Sequence, residues 1–117
     1  QVIEGIASAH GLTAEIIYDR RYPVLVNTPE ETLKAAAAAA IVVGAENVNT
    51  DHPPTMGSED FAWMLQERPG CYIRVGNGEG EDGGCVVHNP NYDFNDEAAL
   101  YGASYWAALV EQELSPV

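Results

Sequence analysis

The sequence predicts an α/β fold, in which helices pack on a sheet. A stretch rich in β-branched and aromatic residues lies early in the chain, and further short apolar runs alternate with helical patterns. The resulting order is strand, helix, strand, helix, strand, loop, helix, which is typical of layered α/β structures. A length of 117 residues with 46% hydrophobic content is enough for one such domain.

The first two predicted elements are a helix and a long strand. Apolar residues recur at helical spacing at Val2, Ile3, Ile6 and Ala9. Gly11 lies where that helix would end. The run from Thr13 to Val26 predicts a strand, which Pro23 places at a sheet edge. These two elements alone would form an incomplete sheet, so we place a domain boundary after residue 28.

The next segment predicts a helix that begins with a capping box. Thr28 is followed three residues later by Glu31, and Pro29 occupies the first helical position. The six alanines 35–40 permit close packing on a neighbour, and Gly44 supplies a stop. A low-complexity linker is the alternative, but the caps and the apolar residues after the alanines argue against it.

The second half of the chain alternates between short elements and loops. We predict a short strand at 47–50, a loop at 52–54, a helix capped by Ser58, a strand at 71–75, a loop at 76–84 and a helix from Asn95 to about Leu114. The last helix would present Leu100, Tyr101, Tyr105, Ala108, Leu109 and Gln112 roughly on one side.

Charge and cysteine content narrow the class of protein. Eighteen acidic against five basic residues give a net charge of −13, which disfavours nucleic acid and anionic lipid as partners and otherwise indicates a solvated surface. No apolar run is long enough for a membrane helix, and no export signal is visible. Cys71 and Cys85 form no C-x-x-C pair, so a reducing, cytoplasmic location fits best, although a bridge between them stays open.

His88 is the most informative polar residue. It follows a Gly-rich loop and precedes Asn89-Pro90, so it lies on irregular backbone, where site residues concentrate. A lone histidine in such a place is more often structural or exposed than a ligand. The same structural interpretation applies to His10 and His52.

Two sequence strings, one that contains this histidine and one earlier in the chain, resemble those of a known family. Residues 87–97 read VHNPNYDFNDE, and residues 56–61 read MGSEDF. In order and spacing they resemble the metal-dependent amidohydrolase family of hippurate hydrolase, aminoacylase-like enzymes and plant auxin-conjugate hydrolases, which is related to zinc carboxypeptidases. The resemblance implies the carboxy-terminal part of a zinc-exopeptidase-like catalytic domain at 29–117. It also implies that 1–28 form the last helix and strand of a lid and dimerisation domain.

The resemblance implies roles for four residues. His88 would be the last ligand of a two-metal centre that holds zinc or manganese. Its second ring nitrogen would need a partner such as Asp93 or Asp96, although helix capping is the preferred explanation of those acids. Gly57 and Ser58 would contact substrate beside amides of a helix start, or would simply form a turn and cap. Asn27 is a weaker substrate candidate, since it is also a routine turn residue.

The expected function follows from these roles and from what the chain lacks. The family's other ligands and its general base belong to an amino-terminal part that this sequence does not contain. We therefore expect a fragment, inactive alone, of a hydrolase that cleaves small N-acyl amino acids with metal-activated water. Its partners would be the missing part and a second copy bound through the lid. The alternative is a non-catalytic binding or assembly domain that retains the fold.

Overall fold

The computed structural model describes residues 1–79 and 84–114, and all regular secondary structure in these ranges is helical. The elements are α1 (Val2–Ala9), α2 (Pro29–Val43), a 3-10 turn (Ala45–Asn47), α3 (Phe61–Glu67) and α4 (Asp96–Glu113). No strand forms in the described ranges. The predicted α/β fold, with its sheet covered by helices, is therefore wrong for this part of the chain.

The three predicted strands lack the backbone partners that a sheet requires. Residues 13–26 and 71–75 are irregular, and the predicted strand 47–50 starts within the 3-10 turn and is irregular from residue 48. Most side chains of the first segment are exposed, with Val24 at 83%. β-branched residues favour strands because they fit a pleated, half-buried surface. Such a surface is absent beside them within the described residues, so their propensity alone does not produce a strand.

Helix α1 ends where the sequence predicts. Gly11 adopts a φ of 67°, which is open to glycine at little cost. The Gly11 N–H donates to the Ser8 carbonyl (3.0 Å), and the Leu12 N–H donates to the Ala7 carbonyl (2.8 Å). These bonds satisfy carbonyls of the last turn and stop the helix.

Helix α2 begins with Thr28 as its N-cap and Pro29 as its first residue, which confirms the predicted start. The predicted capping box does not form, because Thr28 makes no side-chain bond to its own helix. Its Oγ1 instead accepts from the Gly70 N–H (3.1 Å), while its own N–H donates to the Gly70 carbonyl (2.9 Å). The cap residue thus ties α2 to a segment 42 residues further along the chain.

The core lies where α2 packs against α4. The buried residues of these two helices are mostly alanines: Ala35, Ala38, Ala98, Tyr105 and Ala108. Small side chains let the helices approach closely, so the alanine run is a packing surface rather than a linker. At one end of the contact the Gln112 side chain donates to the Lys34 carbonyl (3.2 Å), and the Lys34 ammonium lies 3.8 Å from Glu113.

The described chain leaves much apolar surface uncovered. Its radius of gyration is 20.1 Å, whereas a compact chain of this length has about 13 Å. Large hydrophobic side chains on every helix are exposed, including Ile6 on α1, Leu33 on α2 and Trp106 on α4. None of the described helices has the length and apolar character needed to cross a membrane.

The alanine contact between α2 and α4 predicts the effect of one substitution. Ala38 is fully buried, so Ala38→Leu adds volume where no space exists and should lower the free energy of unfolding by about 1–3 kcal/mol. Ala37→Leu, on the exposed side of the same helix, should change it by less than about 0.5 kcal/mol. Denaturant unfolding of both variants measures the difference, and equal effects would contradict the assigned packing.

Candidate functional site

His88 lies in a tight turn with a left-handed backbone. Its φ of 71° is unusual for a residue other than glycine, and its side chain is exposed. The turn is closed by the Asn89 N–H, which donates to the Val86 carbonyl (3.2 Å), and by the Tyr92 N–H, which donates to the Asn89 carbonyl (2.9 Å). The imidazole is thereby presented to solvent rather than packed in the core.

Asn77 fixes the segment that follows this turn. Its side-chain amide donates to the Asp93 carbonyl (2.8 Å), and its Oδ1 accepts from the Asn95 N–H (2.9 Å). The Asn95 side chain in turn accepts from the Glu97 N–H (3.0 Å) and caps α4, which confirms the predicted start of that helix. Sequence reasoning missed Asn77, since an asparagine in a Gly-rich loop carries no distinguishing signal.

Of the two acids near His88, Asp96 follows the helix-capping interpretation. Asp96 lies in the first turn of α4, where a negative charge favours the helix dipole. Among the hydrogen bonds of the described residues, none joins His88 to Asp93 or Asp96. Neither acid therefore holds the second ring nitrogen of the His88 imidazole by a hydrogen bond.

In this turn, the exposed His88 imidazole could supply one nitrogen ligand to a metal ion. In ranges 1–79 and 84–114 no three His, Cys, Asp or Glu side chains come close enough together to hold a metal. A single exposed imidazole fits one position of a tetrahedral or larger coordination sphere. A metal at His88 would take its other ligands from outside these residues.

Gly57 and Ser58 lie in an exposed segment before α3 rather than at its start. The helix begins at Phe61 with Asp60 as its cap residue, so the predicted cap at Ser58 is wrong. The Phe61 N–H donates to Glu59 Oε1 (3.4 Å), and the next two amides donate to the carbonyls of Glu59 and Asp60. These amides are occupied and lie beside two acids, so they do not offer the predicted anion site.

Gly57 itself is in open space. A Cβ built on Gly57 would meet no atom within 4 Å, so nothing in the described chain requires a glycine for close approach. The substrate role predicted for it would therefore depend on a group that approaches from outside these residues.

Ser58 borders an open concavity that also contains two arginines. The concavity has a volume of about 470 Å³ and is lined by Tyr18, Asp19, Arg20, Arg21, Tyr22 and Ser58. It brings a predicted substrate residue next to two of the five basic residues of the chain. Sequence reasoning did not single out Arg20 and Arg21, although their rarity in so acidic a chain could have drawn attention to them.

The Asn27 side chain pairs with the backbone of Tyr72, which follows α3 in the chain. Its Nδ2 donates to the Tyr72 carbonyl (2.9 Å) and its Oδ1 accepts from the Tyr72 N–H (2.8 Å). Nδ2 also lies 3.3 Å from Cys71 Sγ. Both Cys71 and Cys85 are free thiols, so the bridge left open by the sequence does not form. Through its two bonds to Tyr72, the Asn27 side chain forms the hydrogen bonds that a neighbouring β-strand would form.

The two hydrogen bonds between the Asn27 side chain and the Tyr72 backbone form a contact that we call the Asn27 clamp. Tyr72 also connects this clamp to the start of α3. Its ring lies 5.7 Å from the Phe61 ring, and its hydroxyl donates to Glu59. That hydrogen bond is the main reason why the pKa of the Glu59 carboxyl is lowered, with a second contribution from Asp60. The same bond raises the pKa of the Tyr72 hydroxyl.

The four predicted site residues therefore divide into three places. Ser58 lies at the arginine-lined concavity with Gly57 beside it, Asn27 lies in the clamp to Tyr72, and His88 lies in its own turn. Within the described ranges no hydrogen bond joins His88 to any of the other three.

Comparison with known proteins gives a family match over most of the chain. The sequence pattern of peptidase family M20/M25/M40 matches residues 3–112. The chain is 36% identical over 107 residues to a putative amidohydrolase, YhaA, of Bacillus subtilis, with 91% of the chain covered. It is 30% identical over 109 residues to hippurate hydrolase of Campylobacter jejuni, with 93% covered. It is 31% identical over 111 residues to N-acetylcysteine deacetylase of Bacillus subtilis, also with 93% covered.

The matched part is a minor share of each relative. The chain spans 27% of the length of each of these three proteins. No solved structure matches the chain significantly.

The Asn27 clamp predicts a local loss of stability. Asn27→Ala leaves the Tyr72 N–H and carbonyl without their partner and should lower the free energy of unfolding by about 1–3 kcal/mol. Hydrogen exchange at the Tyr72 amide should accelerate as well. The control is Asn49→Ala, which removes a bond to the Asp51 N–H in an exposed loop. An unchanged exchange rate at Tyr72 would refute the clamp.

The contact between Tyr72 and Glu59 predicts a pH effect with a defined sign. The pKa of Glu59 is lower in the folded chain than its ordinary 4.5, so the contact stabilises the fold above about pH 4.5. This stabilisation is lost as the pH falls through the lower folded value. Tyr72→Phe keeps the ring but removes the hydroxyl, so the Glu59 pKa should rise. Carbon-13 titration of the carboxyl measures it, with Tyr101→Phe as control.

Proposed function

Because the chain belongs to peptidase family M20/M25/M40, we propose that it is the carboxy-terminal part of a metal-dependent hydrolase that cleaves the amide bond of N-acyl amino acids. The observation that carries the proposal is His88, held exposed in a left-handed turn within the string that resembles the family's ligand motif. The names of the relatives, hippurate hydrolase and N-acetylcysteine deacetylase, support a small N-acyl substrate.

His88 would act as one ligand of a divalent metal centre, with zinc or manganese as the expected ions. The metal, when bound, would supply an activated water for attack on the amide carbonyl. The residues described here have supporting tasks: the turn presents the imidazole, and Asn77 holds the following backbone at Asp93 and Asn95. The other ligands and the general base would come from residues outside this chain.

The substrate side of the site would be formed by residues near α3. Ser58 offers an exposed hydroxyl at the mouth of the concavity, and Gly57 leaves space beside it. Asn27 would contact substrate only by giving up a bond to Tyr72, so its first task is to hold the two segments together.

The wider assembly is also part of the proposal. Residues 1–28 would belong to a lid and dimerisation domain, and residues 29–117 to the catalytic domain. The exposed apolar side chains Ile17, Val24 and Val26 in the first segment support contact with a second copy or with the rest of the protein. The two free thiols fit a cytoplasmic location.

The proposal predicts the effect of removing the imidazole. In the complete protein that contains this chain, His88→Ala should lower kcat/KM for an N-acyl amino acid by at least about 100-fold, because a metal ligand is lost. Metal content, measured by elemental analysis after dialysis, should fall in parallel. Substrate turnover in the wild type should need a divalent metal.

The control for this experiment is His10→Ala, which removes an exposed histidine just after α1. It should leave both activity and metal content unchanged. Full activity in His88→Ala would refute the ligand role. A wild-type protein without any hydrolytic activity would favour a binding or assembly domain instead.

A further inference from the structure

The half-buried side chain of Asn77 closes the base of the stretch of chain that contains His88. Its Nδ2 donates to the Asp93 carbonyl (2.8 Å), and its Oδ1 accepts from the Asn95 N–H (2.9 Å). Asn77 and Asn95 are 18 positions apart, and His88 lies between them in the sequence. Fixing both ends of such a stretch removes many of the conformations that it could otherwise adopt. The two bonds therefore restrict where the stretch can place the imidazole.

The turn that carries His88 is weakly stabilised by its own contacts. A φ of 71° is unfavourable for any residue with a Cβ. The two bonds that close the turn, from the Asn89 N–H to the Val86 carbonyl and from the Tyr92 N–H to the Asn89 carbonyl, join mostly exposed residues. Hydrogen bonds that compete with water contribute little net stability. The turn therefore needs an anchor outside itself to hold one conformation.

The carboxamide of Asn77 is suited to be that anchor. It offers an N–H donor and a carbonyl acceptor in one plane, so it can bond a backbone carbonyl and a nearby backbone N–H at the same time. Asn95 extends the contact, because its own side chain accepts from the Glu97 N–H (3.0 Å) and caps α4. The His88 turn is thereby connected to the longest described helix, which contributes buried residues to the core.

The segment that carries Asn77 is itself held by other parts of the chain. Tyr72 pairs with Asn27 in the Asn27 clamp, and Arg74 donates to Thr55 Oγ1 (3.1 Å). These contacts reach the start of α2 and the segment before α3. Asn77 therefore connects the turn to a segment that is bonded to the rest of the described fold.

We propose that Asn77 is a positioning residue for His88: by holding the backbone that follows the turn, it orients the imidazole for a divalent metal and so sets the metal affinity of the site. This assignment rests on the proposed function, in which His88 is a metal ligand. It adds a residue that acts through the backbone, since both polar atoms of the Asn77 side chain bond main-chain groups. Loss of a group that orients a metal ligand weakens metal binding by about 10- to 100-fold.

Zinc affinity of the complete protein, measured by competition with a chromophoric chelator, tests the positioning role. Asn77→Ala should weaken zinc binding by about 10-fold, and it should lower kcat for N-benzoylglycine with little change in KM. Asn77→Asp keeps the acceptor for the Asn95 N–H and loses the donor to Asp93, so its affinity should be intermediate. This second variant also serves if the alanine variant does not fold. Arg74→Ala removes a hydrogen bond of the same segment and should leave zinc affinity unchanged.

Amide hydrogen exchange, measured by NMR in the metal-free complete protein, tests the same role without any metal. If Asn77 holds the turn, Asn77→Ala should speed exchange at Asn95 and also at the Tyr92 and Asn89 amides, which close the turn. Faster exchange at Asn95 alone would mean that Asn77 serves only the start of α4, and this result would overturn the proposal.

Metal binding and hydrolysis are separate measurements, so the two proposals can fail separately. If the wild type binds zinc more tightly than Asn77→Ala but hydrolyses nothing, the positioning role stands and the proposed reaction fails. Unchanged zinc affinity in Asn77→Ala beside a large loss in His88→Ala would keep the ligand role and overturn the positioning role. Equal losses in Asn77→Ala and Arg74→Ala would also overturn it, because they would indicate a general loosening of the segment.

Discussion

Four hydrogen bonds join Asn27 and Thr28 to the backbone of Gly70 and Tyr72, and they hold the start of α2 against the segment that follows α3. They also leave Gly70 against Leu65 of α3, where an added Cβ would lie 3.1 Å from the leucine side chain. The start of α2 and the residues that follow α3 therefore meet in one short zone of contact.

Most helix ends were predictable because their signals are local. Pro29, Gly11 and Asn95 each act through bonds or φ values within a few residues, and the structure has helix ends at all three. The start of α3 is the exception, since Asp60 and not Ser58 is its cap residue. Strands were not predictable in the same way, since a strand needs a neighbour that only tertiary structure can supply. The residues of 13–26 have high β-propensity and still form no ladder. The Asn27 side chain provides strand-like pairing at a single point.

Within the candidate site, only the motif that contains His88 could be predicted from the sequence. His88 was found from the string around it, and its exposed turn fits the sequence interpretation. The anion-binding part could not be placed, because Ser58 lies outside α3 and the amides there are occupied. Arg20 was not predicted, because it lies near Ser58 only in the folded chain, where both residues line one concavity although they are 38 positions apart. Separations of that kind are invisible to periodicity and to capping rules.

The left-handed backbone at His88 sets a conflict between stability and the metal-ligand role proposed for this residue. A residue with a side chain held at a φ of 71° loses about 1–2 kcal/mol relative to an ordinary conformation, whereas glycine loses almost nothing. Anyone who engineers this protein for heat resistance by choosing the residue that best suits each φ would select Gly or Asn at this position. That choice would gain thermal tolerance and discard the imidazole, so position 88 should be held fixed in such a design.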